Sequence, residues 1–287
     1  MSEGKTAAAD RYVLQRGEDG AARLRLLSRV KGPSTMALLR RAGLRPGLRC
    51  LDVGCGIGEV ALAMARHVGP TGAVTGLDLD AGFVAGARAE AVRRGLAVDF
   101  QVGDARALDV EAVYDLVFAR YLLSHLAAPE AVLACLARAV ALDGVLVVED
   151  VDFPGHVCFP PNAAFDRYVA LYQGVVLANG GDPVLGPRLG ALLRGAGLTQ
   201  VRMAVAQPAF TDGPGKRLAA VTLTHVRDGI VRAGLATADE VDATVAALEA
   251  QAKDPNTLHT LARTFQAWGR RPGKAAEAMS PVADSSR

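Results

Sequence analysis

Short apolar runs alternate with segments of three-to-four-residue periodicity from about residue 34 onward. That alternation sets parallel strands in a sheet with helices packed on its faces. Leu48 to Val53 (LRCLDV) is a brief apolar run that stops at an acidic residue and a glycine cluster. Glu59 to Val68 then reads as a helix, with Val60, Leu62, Ala63 and Val68 available for a buried face. Ala73–Leu77, Val98–Val102 and Tyr114–Ala119 read as the next three strands, and Asp80 is placed to cap the helix after the first of them. Pro129 suits a first helical position, and the spacing predicts a helix from there to the Asp143-Gly144 turn pair. Val145 to Val151 (VLVVEDV) is a continuous buried-strand pattern.

After that strand the rhythm breaks. Pro154, Pro160 and Pro161 interrupt any regular element, Phe165–Leu177 and Leu185–Gly195 read as helices, and Val201–Val205 and Thr264–Trp268 read as late strands. A mainly helical stretch, Lys216 to Leu261, lies between those strands, and helical material inserted there would roof the open end of the sheet. The expected plan is an N-terminal helical lid at 1–33 and a domain at 34–271 with helical insertions at about 153–197 and 215–261. A polar tail at 272–287 follows.

Composition narrows the picture. The chain has 287 residues, 51% of them hydrophobic and 22% charged, enough for one large domain with a substantial core. Lys and Arg total 32 against 30 Asp and Glu, for a formal net charge of +2. That near balance argues against a nucleic-acid partner, whose binders carry a clustered basic footprint. Cys50, Cys55, Cys135 and Cys158 have neither zinc-knuckle nor redox-dithiol spacing. With no apolar signal-like segment and no membrane-length run, the expectation is a cytoplasmic protein that does not engage the membrane. The pattern leaves oligomeric state open.

The sharpest chemical signal is Leu51-Asp52-Val53-Gly54-Cys55-Gly56-Ile57-Gly58-Glu59. Gly54 and Gly56 let the backbone turn tightly and bring a ligand against main-chain N–H groups, and Gly58 opens the following helix. The dinucleotide fingerprint is G-x-G-x-x-G, whereas this loop is G-x-G-x-G. Asp52 would repel a pyrophosphate but offset a cationic amino group. Asp78 at the second strand tip can accept ribose hydroxyl protons, and Asp104 after the third can accept from the exocyclic amine of adenine. Each acid alone could equally be a helix cap. Together, three acids at successive strand tips beside a triple-glycine turn describe one crevice for a positively charged nucleoside.

On these residues the chain resembles the class I S-adenosylmethionine (SAM)-dependent methyltransferases, most closely the small-molecule enzymes of the ubiquinone/menaquinone-biosynthesis type. LDVGCGIG is similar to their first motif, GLDLD to the acidic second and VGDA to the third; YDLVFARYLLSHL and DGVLVVED match the remaining core. The resemblance spans about Leu48 to Asp150 and implies a Rossmann-like, seven-stranded, mostly parallel sheet with helices on both faces and a helical cap over its C-terminal edge. It implies Asp52, Gly54, Gly56, Asp78 and Asp104 as SAM contacts, with Cys55, Gly58, Leu79, Gly103 and Ala105 beside them. Arg120 is implied at the methionine end, while Tyr12, with Gln15, is a candidate for closing over the cofactor as a lid. The implied activity is methyl transfer to an O, N or C nucleophile of a small molecule. The alternatives are a methyltransferase of tRNA or protein, and a SAM-fold protein with other chemistry.

Methyl transfer from a sulfonium needs alignment more than acid–base help, and positioning alone can supply roughly 7–11 kcal/mol. His125 and His156 are the candidate bases, each with a structural role as its alternative. Glu149, Asp150 and Asp152 alternate, but no ligand spacing supports a metal, and none is expected. Phe153, Phe159, Phe165, Tyr168 and Tyr172 gather many of the chain's few aromatics and could wall an acceptor pocket, which suggests an uncharged, fairly apolar acceptor. Trp268 is expected in the core.

Overall fold

The computed structural model describes residues 17–273. Tyr12 and Gln15 lie outside these residues, as does most of the proposed tail. The chain opens with helix α1 (Gly17–Ala42), followed by β1 (Arg49–Val53), α2 (Glu59–Val68), β2 (Ala73–Asp78), α3 (Ala81–Arg94), β3 (Asp99–Val102) and β4 (Tyr114–Arg120). Then come α4 (Pro129–Ala139), β5 (Val140–Asp152), β6 (Cys158–Phe159), α5 (Ala163–Ala178), α6 (Leu189–Gly195), β7 (Thr199–Ala206) and β8 (Ala209–Phe210). The last elements are α7 (Leu218–Arg232), α8 (Ala238–Lys253), β9 (Leu258–Thr260) and β10 (Arg263–Arg270).

Seven strands form one sheet in the order β3-β2-β1-β4-β5-β10-β7. The pairings from β3 to β5 are parallel, and β10 runs antiparallel to both β5 and β7. Strand order reverses between β1 and β4, so a crevice opens at their carboxyl ends, where open α/β sheets bind ligands. Alternation along the strands divides the core, because successive side chains face opposite ways. Cys50, Leu116, Phe118, Val145 and Val147 pack against α1, α2 and α3. Leu51, Val53, Val117, Leu146 and Val148 pack against α4 and α6. A third cluster joins α5, α7 and α8 through Phe165, Tyr168, Leu171, Leu223, Val226 and Val241. It forms the helical roof.

Several elements differ from their sequence reading. Helix α4 ends at Ala139, before the Asp143-Gly144 pair, because Val140 already pairs with Tyr114 of β4. The turn pair becomes an irregularity inside a long strand, with Asp143 at φ 61°. Helix α1 continues through Pro33 and across the position where the lid was expected to end. A three-stranded sheet, β6-β9-β8, stands in the roof; its strands are too short to leave a periodic signal. Trp268 lies in the core beside α1, with the Arg41 guanidinium 5.8 Å from its ring centroid.

Candidate active site

The turn from β1 into α2 sits at the crevice. Gly54, Gly56 and Gly58 adopt left-handed backbone, with φ of 70°, 54° and 79°, a conformation glycine enters without steric penalty. At Gly58 there is also no room, since a Cβ would come within 2.5 Å of the Phe100 ring. The turn is tied down by its own N–H groups. Those of Gly54 and Cys55 donate to the Leu77 carbonyl at 2.8 and 3.0 Å, and that of Gly58 to the Cys55 carbonyl at 2.9 Å. Gly56 N–H donates to Asp78 Oδ2 at 2.6 Å. A loop whose N–H groups are committed in this way is a poor cradle for a pyrophosphate, which needs them aimed outward.

Asp52, at the end of β1, is 3% exposed, and its Oδ2 has no hydrogen-bond partner among the described residues. Burial pushes its carboxyl up to about 7, although nearby Arg120 pulls the other way. An acceptor left buried without a donor is costly. A ligand's cationic amino group would supply the missing donor, so this site fits the charge expected of the implied cofactor.

Asp78 accepts from Gly56 through Oδ2 and from Asp80 N–H through Oδ1 at 2.9 Å. A carboxylate oxygen can accept more than one hydrogen bond, and Asp78 lines the cavity. Asp104 caps the turn at 105–107 through Arg106 N–H at 2.9 Å and also pairs with the Arg106 guanidinium. That guanidinium draws its carboxyl below the usual range. Asp104 thus serves as a cap, and it also lines the cavity with Gly103 and Ala105. Leu79, half exposed, adds an apolar surface beside Asp78.

Arg120 donates to Thr35 Oγ1 at 2.9 Å and to Ser28 Oγ at 3.4 Å, both on α1. Thr35 in turn donates to Glu149 Oε2 at 2.6 Å, and Gln266 donates to Oε1 at 2.7 Å. The Lys31 ammonium lies in the same buried region, where burial lowers its pKa to about 8 against the pull of Glu149. The three alternating acids therefore have separate partners. Glu149 serves α1, Asp150 accepts Ser124 N–H at 3.0 Å, and Asp152 pairs with Arg263 at 2.7 Å. Among the described residues no three potential metal ligands converge.

One cavity of about 720 Å³ joins this region to the roof, within the usual range for small-molecule sites. Its far wall includes Phe153, Phe165, Tyr168 and Tyr172, with Phe153 stacked on Tyr172 at 3.9 Å between centroids. Phe159 is exposed and does not line the cavity. His125 and His156 both do. Burial lowers each imidazole to about 4, so both are neutral near pH 7. His156 Nδ1 lies 2.7 Å from the Phe153 carbonyl. It must carry the proton there, which leaves Nε2 as an acceptor.

Among the cavity residues that escaped the sequence reading are Arg23, Thr222 and His259. Arg23 carried a faint signal, since Arg23, Leu27, Lys31 and Thr35 recur at four-residue intervals and place polar groups on a buried helix face. Thr222 and His259 are brought in from distant elements and carry no local mark.

Residues 44–170 match a family described as a methyltransferase domain. This segment is similar to a methyltransferase domain. It contains the glycine turn, the three strand-tip acids and the first aromatic wall residues. Among characterised relatives, the chain is 30% identical over 134 residues to the ubiquinone/menaquinone biosynthesis C-methyltransferase UbiE of Cupriavidus taiwanensis, covering 46% of this chain and 54% of that protein. It is 37% identical over 123 residues to the trans-aconitate 2-methyltransferase of Methylobacterium nodulans, covering 42% and 45%. It thus spans about half the length of these relatives. The fold is shared with the YcgJ protein of Bacillus subtilis at 18% identity and a TM-score of 0.56, covering 84% of this chain and 99% of that one. It is also shared with Haemonchus contortus phosphoethanolamine N-methyltransferase 2, solved with S-adenosyl-L-methionine, at 20% identity and a TM-score of 0.52. That match covers 84% of this chain and 52% of the other. The domain's relatives therefore act on different acceptors within one scaffold.

Proposed function

We propose that this protein transfers the methyl group of S-adenosylmethionine to an O, N or C nucleophile of a small molecule. The observation that carries the reading is Asp52, a buried carboxylate with an orphaned oxygen beside a glycine turn in which the N–H groups of Gly54, Cys55, Gly56 and Gly58 are already committed. Those features suit a cationic nucleoside and disfavour a phosphorylated one. When bound, the cofactor supplies a methyl group on a sulfonium, ready for in-line displacement. Asp52 would offset its positive charge, Asp78 would accept the ribose hydroxyls, and Asp104 with Gly103 and Ala105 would border the adenine. Arg120, at the end of β4 and braced by Ser28 and Thr35 of α1, would face the methionine carboxylate.

The roof would then hold the acceptor. Neutral imidazoles at His125 and His156 serve better as hydrogen-bond acceptors that orient a nucleophile than as stores for its proton, since burial disfavours their charged form. We place the protein in the cytoplasm, a reading supported by its four unpaired thiols. No helix among the described residues is long and apolar enough to cross a membrane.

Incubation with methyl-labelled SAM and a fractionated metabolite extract tests the proposal. Label should enter a small molecule, and calorimetry should show binding of S-adenosylhomocysteine (SAH) but not NAD. Cofactor binding without label transfer to any fraction would defeat the methyl-transfer reading.

A further inference from the structure

Within the cavity, the end beneath the roof has its own charge logic. Arg23 of α1 is 8% exposed, and no carboxylate lies within ion-pairing distance of it among the described residues. Its Nε donates to Thr222 Oγ1 of α7 at 3.3 Å, and the Tyr168 hydroxyl of α5 shares that threonine. A guanidinium has five donors, and Thr222 takes one. A buried charge without a counter-charge is strongly unfavourable, so its retention beside a cavity points to an anionic ligand.

Two features separate this cation from the one assigned to the cofactor. Arg120 lies against Ser28 and Thr35 of α1, whereas Arg23 joins the roof through Thr222. Arg23 and Ser28 are also about 7.5 Å apart along the helix axis. The surfaces around Arg23 are apolar and aromatic. Tyr168 lies edge-on to Phe153 at 5.6 Å, and Phe153 stacks on Tyr172.

We infer that the methyl acceptor is a carboxylic acid with a flat, apolar body, its carboxylate docked on Arg23 and its body against Phe153, Tyr168 and Tyr172. The aromatic wall keeps the acceptor apolar, as its composition suggested, but the unpaired guanidinium replaces the uncharged molecule with an anion. A carboxylate clamped by Arg23 is held as a handle, so the methyl group goes to a different nucleophile on the same molecule. The inference rests on the methyl-transfer reading.

The test is calorimetry on the SAH-saturated protein. Benzoate, 4-hydroxybenzoate and cinnamate are each titrated against the corresponding primary amide, which has the same shape without the charge. Acids should bind roughly ten- to a hundredfold more tightly than their amides, the range for charge-assisted hydrogen bonds. Arg23→Gln should shrink that preference to about threefold or less, and Arg23→Lys should retain part of it, because the charge remains without the planar fork. SAH affinity should be unchanged in both variants, which also shows that they fold. The inference is overturned if no acid outbinds its amide, if the preference survives Arg23→Gln, or if that variant loses SAH affinity in parallel. Failure of the wild-type protein to bind SAH would instead strike at the cofactor assignment.

Discussion

Asp78 Oδ2 accepts the Gly56 N–H at 2.6 Å, so the acid at the tip of β2 holds the middle of the glycine turn that follows β1. The same carboxylate is the proposed ribose acceptor, which couples loop shape to cofactor binding. Asp78→Ala should weaken SAH by roughly ten- to a hundredfold in calorimetry, as expected when hydrogen bonds to a charged group are lost. An unchanged affinity would remove Asp78 from the cofactor site.

Asp52 leads to a pH dependence. Burial holds its carboxyl near 7 in the ligand-free protein, and a cationic ligand favours the ionised form. Binding must therefore release a proton when the pH is below about 7. SAM affinity should fall as the pH drops from 7 to 5.5, approaching tenfold per unit, and Asp52→Asn should flatten the slope. Calorimetry in buffers with different ionisation enthalpies measures the released proton directly.

Gly58 carries a stability prediction. Alanine there would occupy left-handed backbone at φ 79° and drive its Cβ into Phe100. Left-handed strain and overpacking together should lower stability by roughly 2–4 kcal/mol. Urea unfolding of Gly58→Ala would read this as a lower midpoint at unchanged slope.

Glu149 ties α1 to the sheet through Thr35 and lies close enough to Lys31 to affect its titration. Glu149→Ala leaves Lys31 buried without that carboxylate and should reduce stability by about 3–5 kcal/mol. Adding Lys31→Met should recover much of the loss. Simple addition of the two effects in a double-mutant cycle would show that the groups are uncoupled.

The sheet and its crevice were legible because their signals are local. Leu51 to Gly58 shows a strand, a turn and a helix start within eight residues, and Asp78 and Asp104 each follow a short apolar run. The end of α4 was not legible, because Val140 is drawn into β5 by pairing with Tyr114, a contact invisible in a local window. Arg23 was missed for a similar reason. An arginine among leucines on an amphipathic helix reads as a solvated face until α7 brings Thr222 against it. His259 sits in a three-residue strand whose neighbours in the small sheet, Cys158 and Phe210, come from remote parts of the chain.

The placement of β10 bears on how the molecule is assembled. Among the described residues this strand comes after every helix, and it fills the slot between β5 and β7. During synthesis β7 emerges well before β10, its neighbour in the large sheet among the described residues, whose ladder it joins once Arg263–Arg270 leave the ribosome. A chain interrupted before that point would retain the β3-to-β5 portion of the sheet but leave β5 with an open edge, inviting pairing with another chain.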